Sequence, residues 1–79
     1  MEKYFDLVKE LKNRSDFFKK VTYEYDVNYD SLLLKMNEKM FTIIDNEKSK
    51  EYKKLSSKCD KYDFNIEFKG IGCIEIYEE

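Results

Sequence analysis

Leu32-Leu33-Leu34-Lys35-Met36, then Asn37-Glu38-Lys39, then Met40-Phe41-Thr42-Ile43-Ile44: the fold turns on how these thirteen residues are read. As a hairpin, Met36 pairs with Phe41 and Leu34 with Ile43, which leaves Lys35 and Thr42 together on the opposite face. The competing reading is a helix from Ser31 onward, capped by Asp30, because Leu, Met, Glu and Lys all favour helix. The register favours the hairpin, although the turn has no glycine.

Upstream, residues 2–20 place Tyr4, Val8, Leu11 and Phe18 at helical spacing, with Phe5 and Leu7 widening the stripe. From Val21 the period changes to two. Val21, Tyr23, Tyr25 and Val27 alternate with Thr22, Glu24 and Asp26, which predicts a half-buried strand.

Downstream, Asp45 and Asn46 offer N-caps, and Tyr52, Leu55, Cys59 and Tyr62 recur at helical spacing, so residues 46–62 are predicted to form a second helix. Phe64, Ile66 and Phe68 alternate with Asn65, Glu67 and Lys69. Gly70-Ile71-Gly72 then turns the chain into Cys73 to Tyr77, with Ile74 and Ile76 inward. The expectation is a single α+β domain over residues 1–79. Its order is αβββαββ, a two-layer sandwich of a mainly antiparallel sheet with two helices on one face.

With 79 residues the chain supports one modest core. Its apolar 42% and charged 41% argue against disorder. Chemistry is thin. The chain has no His, the commonest general acid-base residue and metal ligand, so neither catalysis nor a cofactor or metal is expected. Cys59 and Cys73 form no CxxC motif and have no nearby partners for a tetrahedral site. They read as reduced thiols. Gly70 and Gly72 match neither a dinucleotide fingerprint nor a P-loop. Glu24 with Asp26, and Glu67 with Glu75, are carboxylate pairs on the expected outer sheet face, where an ordinary solvated surface accounts for them.

No apolar stretch approaches the roughly 20 residues that span a bilayer. Met1-Glu2-Lys3-Tyr4 begins no signal-peptide core, so a cytoplasmic protein without membrane contact is expected.

Charge is segregated along the chain. Residues 2–20 hold six bases and four acids, and residues 46–62 hold six lysines and three acids. By contrast, residues 21–30 hold Glu24, Asp26 and Asp30 without a base, and residues 63–79 hold five acids against Lys69. The strands are therefore the anionic side, which favours oriented encounter with a charged partner.

Tyr23-Glu24-Tyr25-Asp26 with Tyr29 and Asp30 interleaves phenols with carboxylates. The tail Glu75, Tyr77, Glu78 and Glu79 repeats that chemistry. These ten residues are the expected partner-binding set, able to accept paired hydrogen bonds from Arg and to occupy a groove built for phosphates.

Asp6-Leu7-Val8-Lys9-Glu10-Leu11-Lys12-Asn13, the acidic segment that follows, and the two apolar runs ending at Ile44 resemble the start of small, acidic, phage-encoded anti-CRISPR proteins, in which a helix precedes a three-stranded sheet. The likeness covers roughly the first 45 residues. It implies a stoichiometric inhibitor whose carboxylates block a nucleic-acid-binding groove of a host CRISPR effector. Glu24, Asp26 and Asp30 would make the first contacts, followed by Glu75, Glu78 and Glu79. The basic second helix departs from that pattern.

Two other expectations stand beside it. One is a regulator that binds nucleic acid through Lys48, Lys50, Lys53, Lys54, Lys58 and Lys61, although a single Arg in the chain offers little base-edge contact. The other is a self-associating subunit, such as a homodimer, that buries an open sheet face including Leu33 and Ile44.

Overall fold

The computed structural model describes residues 2–78. Helix α1 spans Glu2–Lys12 and buries Tyr4, Leu7 and Leu11, three positions that share one face at helical spacing. The single helix expected over residues 2–20 breaks after Lys12. Arg14 takes a left-handed conformation with φ 55°. Ser15 then caps a separate helix α2, Asp16–Lys19, by accepting the Phe18 N–H at 3.2 Å. The break turns Phe18 fully into the core.

Strand β1, Thr22–Asp26, and strand β2, Ser31–Lys35, form an antiparallel hairpin in which Tyr23 lies opposite Leu34 and Tyr25 opposite Leu32. In the connecting turn the Asp26 carboxylate accepts the Asn28 N–H at 3.0 Å, and Asp30 adopts a positive φ of 48°.

The segment read as a second hairpin strand, residues 40–44, is instead part of helix α3, Glu38–Ile44. Asn37 is its N-cap and accepts the Met40 N–H at 2.8 Å. Glu38 occupies the first turn, where a carboxylate suits the helix dipole. Phe41 and Ile44, three apart, enter the core. The partner proposed for Leu34, Ile43, is replaced by Ile74 from the far end of the chain, and the Met36 N–H donates to the Gly72 carbonyl at 2.9 Å.

The later helix, α4, spans Lys50–Lys61, shorter than the expected 46–62 because Ser49 is the cap. Its hydroxyl accepts the Tyr52 N–H at 3.0 Å. Strand β3, Asn65–Gly70, and strand β4, Cys73–Tyr77, complete a four-stranded antiparallel sheet in the order β1-β2-β4-β3. The fold is thus α+β as expected, with one strand fewer and two short helices more.

Leu32, Leu34, Ile74 and Ile76 face the helices and join Tyr4, Leu7, Leu11, Phe18, Phe41, Ile44, Leu55, Cys59 and Phe64 in one core. Burial pushes the Cys59 thiol up to about 12, with Asp60 adding to the effect. Both cysteines are free. None of the described helices is long and apolar enough to cross a membrane.

Glu10 clamps α1 to the end of α4. Lys61 and Lys58 reach its carboxylate at 2.8 and 3.2 Å, and the Tyr62 hydroxyl donates to its second oxygen. The hydrogen bond from Lys61, then that from Tyr62, holds the Glu10 carboxyl down to about 2 from an ordinary 4.5. A depressed folded-state value means that the clamp is fully present above about 4.5 and is lost as pH falls toward about 2. Glu10→Gln should therefore lower the denaturation midpoint at neutral pH, and the gap from wild type should close in acid. A gap that stays constant from pH 7 to 2 would show that Glu10 contributes through packing rather than charge.

Candidate functional site

None of the described helices covers the sheet's outer face, where the Glu24, Lys35, Glu67 and Lys69 side chains stay about half exposed. β2 and β4 are neighbours, so one row runs across all four strands as Glu24, Leu33, Glu75 and Glu67. Leu33 is half-buried in the middle of three carboxylates. Glu67 and Glu75 lie directly opposite each other, an arrangement that repels unless a cation intervenes. Lys69 supplies it, 2.9 Å from Glu67 and 3.5 Å from Glu75. Glu75 also accepts the Ser31 hydroxyl at 2.9 Å, and its side chain retains 18% exposure. Ser31 is fully buried beneath it. At the other edge Lys35 meets Glu24 at 2.5 Å, and the hydrogen bond that the ammonium donates to the Glu24 carboxylate raises the Lys35 pKa.

A second acidic cluster forms where β1 turns into β2. The Tyr25 hydroxyl donates to the Asp30 carboxylate at 2.6 Å, which raises the Tyr25 pKa by favouring the protonated phenol. The Tyr4 hydroxyl donates to the Asp30 carbonyl at 2.7 Å. Burial, and then the Asp30 charge, push the Tyr4 phenol up to about 12. Tyr29 stands out from this turn at 77% exposure. Glu78 lies nearby with Lys3 at 3.3 Å. Neither Asp26 nor Asp30 has an ion-pair partner among the described residues.

The expected partner-binding set is therefore divided. Glu24, Glu75 and Tyr77 share the outer face, and Asp26, Tyr29, Asp30 and Glu78 gather at or near its β1–β2 end. Tyr25 reaches that end through its hydroxyl. Tyr23 points to the helix side, where its hydroxyl donates to the Phe18 carbonyl at 2.8 Å and burial raises its pKa. Glu79 lies outside the described residues. The phenols of β1 thus do not share a face with the carboxylates between them. Leu33 lies on the outer face as the self-association reading expects, and Ser31, Lys35 and Lys69, none of them an expected contact, join it there. Alternation fixes their face; the β2–β4 pairing, a contact distant in sequence, is what brings Ser31 and Leu33 beside Glu75.

The lysine helix is less open than its composition implies. Lys54 donates to the Asn13 carbonyl at 2.8 Å, and burial followed by the Lys58 charge lowers its pKa. Lys58 and Lys61 are held by Glu10. Lys48, Lys50 and Lys53 have no ion-pair partner among the described residues. Ile44, expected on an open apolar face, is fully buried in α3.

Among the described residues no group of three or more Cys, Asp or Glu side chains is placed to hold a metal ion. No protein-family model, curated protein or solved structure matches this chain at a significant level.

Proposed function

We propose that this protein is a non-enzymatic binding protein of phage or mobile-element type, which occupies a nucleic-acid-binding surface of a host CRISPR effector with the acidic outer face of its sheet. The observation that carries this reading is the uncovered row of Glu24, Glu75 and Glu67 around Leu33, with Asp26 and Asp30, which have no ion-pair partner among the described residues, at the β1–β2 end of the same sheet. An apolar centre ringed by carboxylates suits a protein surface rich in Arg and Lys, whose guanidinium and ammonium groups otherwise hold phosphates. Lys35 and Lys69 temper the face without cancelling it, and they leave the β1–β2 end as its most anionic part.

The test is inhibition of purified, guide-loaded CRISPR nucleases from a panel of types, read as target-DNA binding and cleavage. One type should be blocked stoichiometrically. Reversing Glu24, Asp26 and Asp30 together to Lys should weaken that block by roughly a hundredfold or more, because like charges brought together at an interface cost several kcal/mol. Failure to inhibit any type removes the CRISPR assignment. Inhibition that survives the reversal removes the acidic face.

The competing reading, nucleic-acid binding by α4 and the turn before it, draws on the exposed Lys48, Lys50 and Lys53. It requires a mobility shift at low salt that fades steeply as salt is added. The self-association reading keeps Leu33 but has lost Ile44.

A further inference from the structure

β1 is an edge strand that pairs only with β2, so alternate residues between Thr22 and Asp26 turn their N–H and C=O groups to solvent. Proteins commonly blunt such an edge with Lys, Pro or a bulge. The other edge strand, β3, has two of these devices, Lys69 and a shift of register between Phe68 and Gly70. β1 has none. It reads Thr-Tyr-Glu-Tyr-Asp and pairs in unbroken register over all five residues.

Beside this edge, on the helix side, lies an apolar cleft of about 150 Å³ lined by Tyr4, Phe5, Val8, Tyr23, Tyr25 and Leu32. Phe5 is 63% exposed at its rim. The cleft's hydroxyls are already used: Tyr23 donates to the Phe18 carbonyl, and Tyr4 and Tyr25 donate to Asp30. Its walls are therefore fixed before anything binds, and no lining phenol is left without a partner. An apolar side chain fits it.

Charge differs between the two ends of the strand. At the Tyr23 end the Lys12 ammonium sits 5.2 Å from the ring centroid. At the far end are Asp26 and Asp30, without ion pairs among the described residues. A second copy of this chain is a poor occupant, because antiparallel pairing of β1 with itself about its centre sets Glu24 against Glu24.

From these features we infer that β1 takes up an extended segment of a different protein as a fifth strand, with an apolar residue of that segment in the cleft and Lys or Arg at its Asp26 end. Backbone pairing supplies affinity in such strand addition, and the cleft and the acids supply selectivity and direction. The inference shares Asp26 and Asp30 with the proposed outer face. The strand edge and the cleft lie outside that face, so either surface can function if the other does not.

The probe is a set of synthetic peptides of about nine residues, a typical strand length. Each alternates Thr with Val, carries a central Leu, Met or Phe, and bears two Lys near one end. Titrated into the isotope-labelled protein, at least one should shift the resonances of β1 and of Phe5 and Val8, and slow hydrogen exchange at alternate β1 amides. N-methylation of the peptide's alternate backbone nitrogens should weaken binding by about tenfold or more, the loss expected from two or more backbone hydrogen bonds. Phe5→Ser, at a largely exposed position, should weaken it severalfold with the remaining spectrum unchanged. Placing Glu for Lys in the peptide should abolish binding. Glu67→Lys, on the outer face, should leave the peptide affinity unchanged and so separates this surface from the one proposed above. The inference is overturned if no peptide saturates at millimolar concentration, if the shifts map to Glu67 and Glu75, if N-methylated peptide binds equally well, or if sedimentation shows a homodimer with β1 protected.

Discussion

Gly72→Ala should lower stability by about 2–4 kcal/mol, combining the cost of a left-handed conformation for a residue with a Cβ and the strain of overpacking against rigid backbone. Gly72 has φ +85°, and a Cβ built there would lie 2.5 Å from the Met36 carbonyl oxygen. That carbonyl cannot simply retreat. The Met36 N–H donates to the Gly72 carbonyl at 2.9 Å, continuing the β2–β4 ladder past its last paired residues, Lys35 and Cys73. Moving either peptide would disturb the central strand pair of the sheet. A domain of this length has a total stability on the order of 4–12 kcal/mol, so the substitution removes a large share of it. Gly70 provides the internal comparison, since its Cβ would meet nothing within 4 Å. Gly70→Ala should fall within about 0.5 kcal/mol of wild type. Urea midpoints of the three proteins measure both effects. Equal midpoints for the two variants would rule out the close approach at Met36.

The same β2–β4 pairing explains which parts of the fold were legible. Strands β1, β3 and β4 announce themselves by alternation, and α4 by Tyr52, Leu55, Cys59 and Tyr62. Residues 40–44 do not, because Met40-Phe41-Thr42-Ile43-Ile44 satisfies a period of two as well as one of 3.6, and three β-branched residues favour strand. The deciding event is remote. β4 occupies the edge of β2 that a hairpin partner would need, so residues 38–44 form a helix and place Phe41 and Ile44 in the core. Two local clues pointed that way: the missing glycine at Asn37-Glu38-Lys39 and the capping competence of Asn37. Ser15 similarly marked the start of α2 within what read as one continuous helix.

Alternation also separates the site residues. Glu24 and Asp26 fall on one face of β1 and Tyr23 and Tyr25 on the other, so one flat surface cannot present all four. What alternation cannot supply is strand order, and with it the Glu67–Lys69–Glu75 cluster and the burial of Ser31 under Glu75.

Phe18→Ala is expected to have the largest effect, about 3–5 kcal/mol, as is usual for deleting a fully buried aromatic ring. Phe18 is the largest side chain in the core that is wholly shielded from solvent, yet it belongs to a helix of four residues. A helix that short cannot sustain itself and persists only through its tertiary contacts. The Phe18 ring meets Phe17 edge-on at 5.2 Å and lies 5.8 Å from the Lys54 ammonium. Its N–H is capped by Ser15, and its carbonyl accepts the Tyr23 hydroxyl. Losing the ring therefore leaves a cavity and also frees α2, which carries the acceptor that seals the Tyr23 phenol. Two readouts should move together. The denaturation midpoint should collapse, and Tyr23, which burial now keeps protonated well above the ordinary range, should titrate closer to 10 in whatever fraction remains folded. Phe17→Ala, at a half-buried neighbouring position, should cost no more than about 1.5 kcal/mol and leave Tyr23 unchanged. If Phe18→Ala proved as mild as Phe17→Ala and left Tyr23 unchanged, α2 could not be the element that fixes Tyr23, and the cleft beside β1 would owe its shape to α1 and the strands without it.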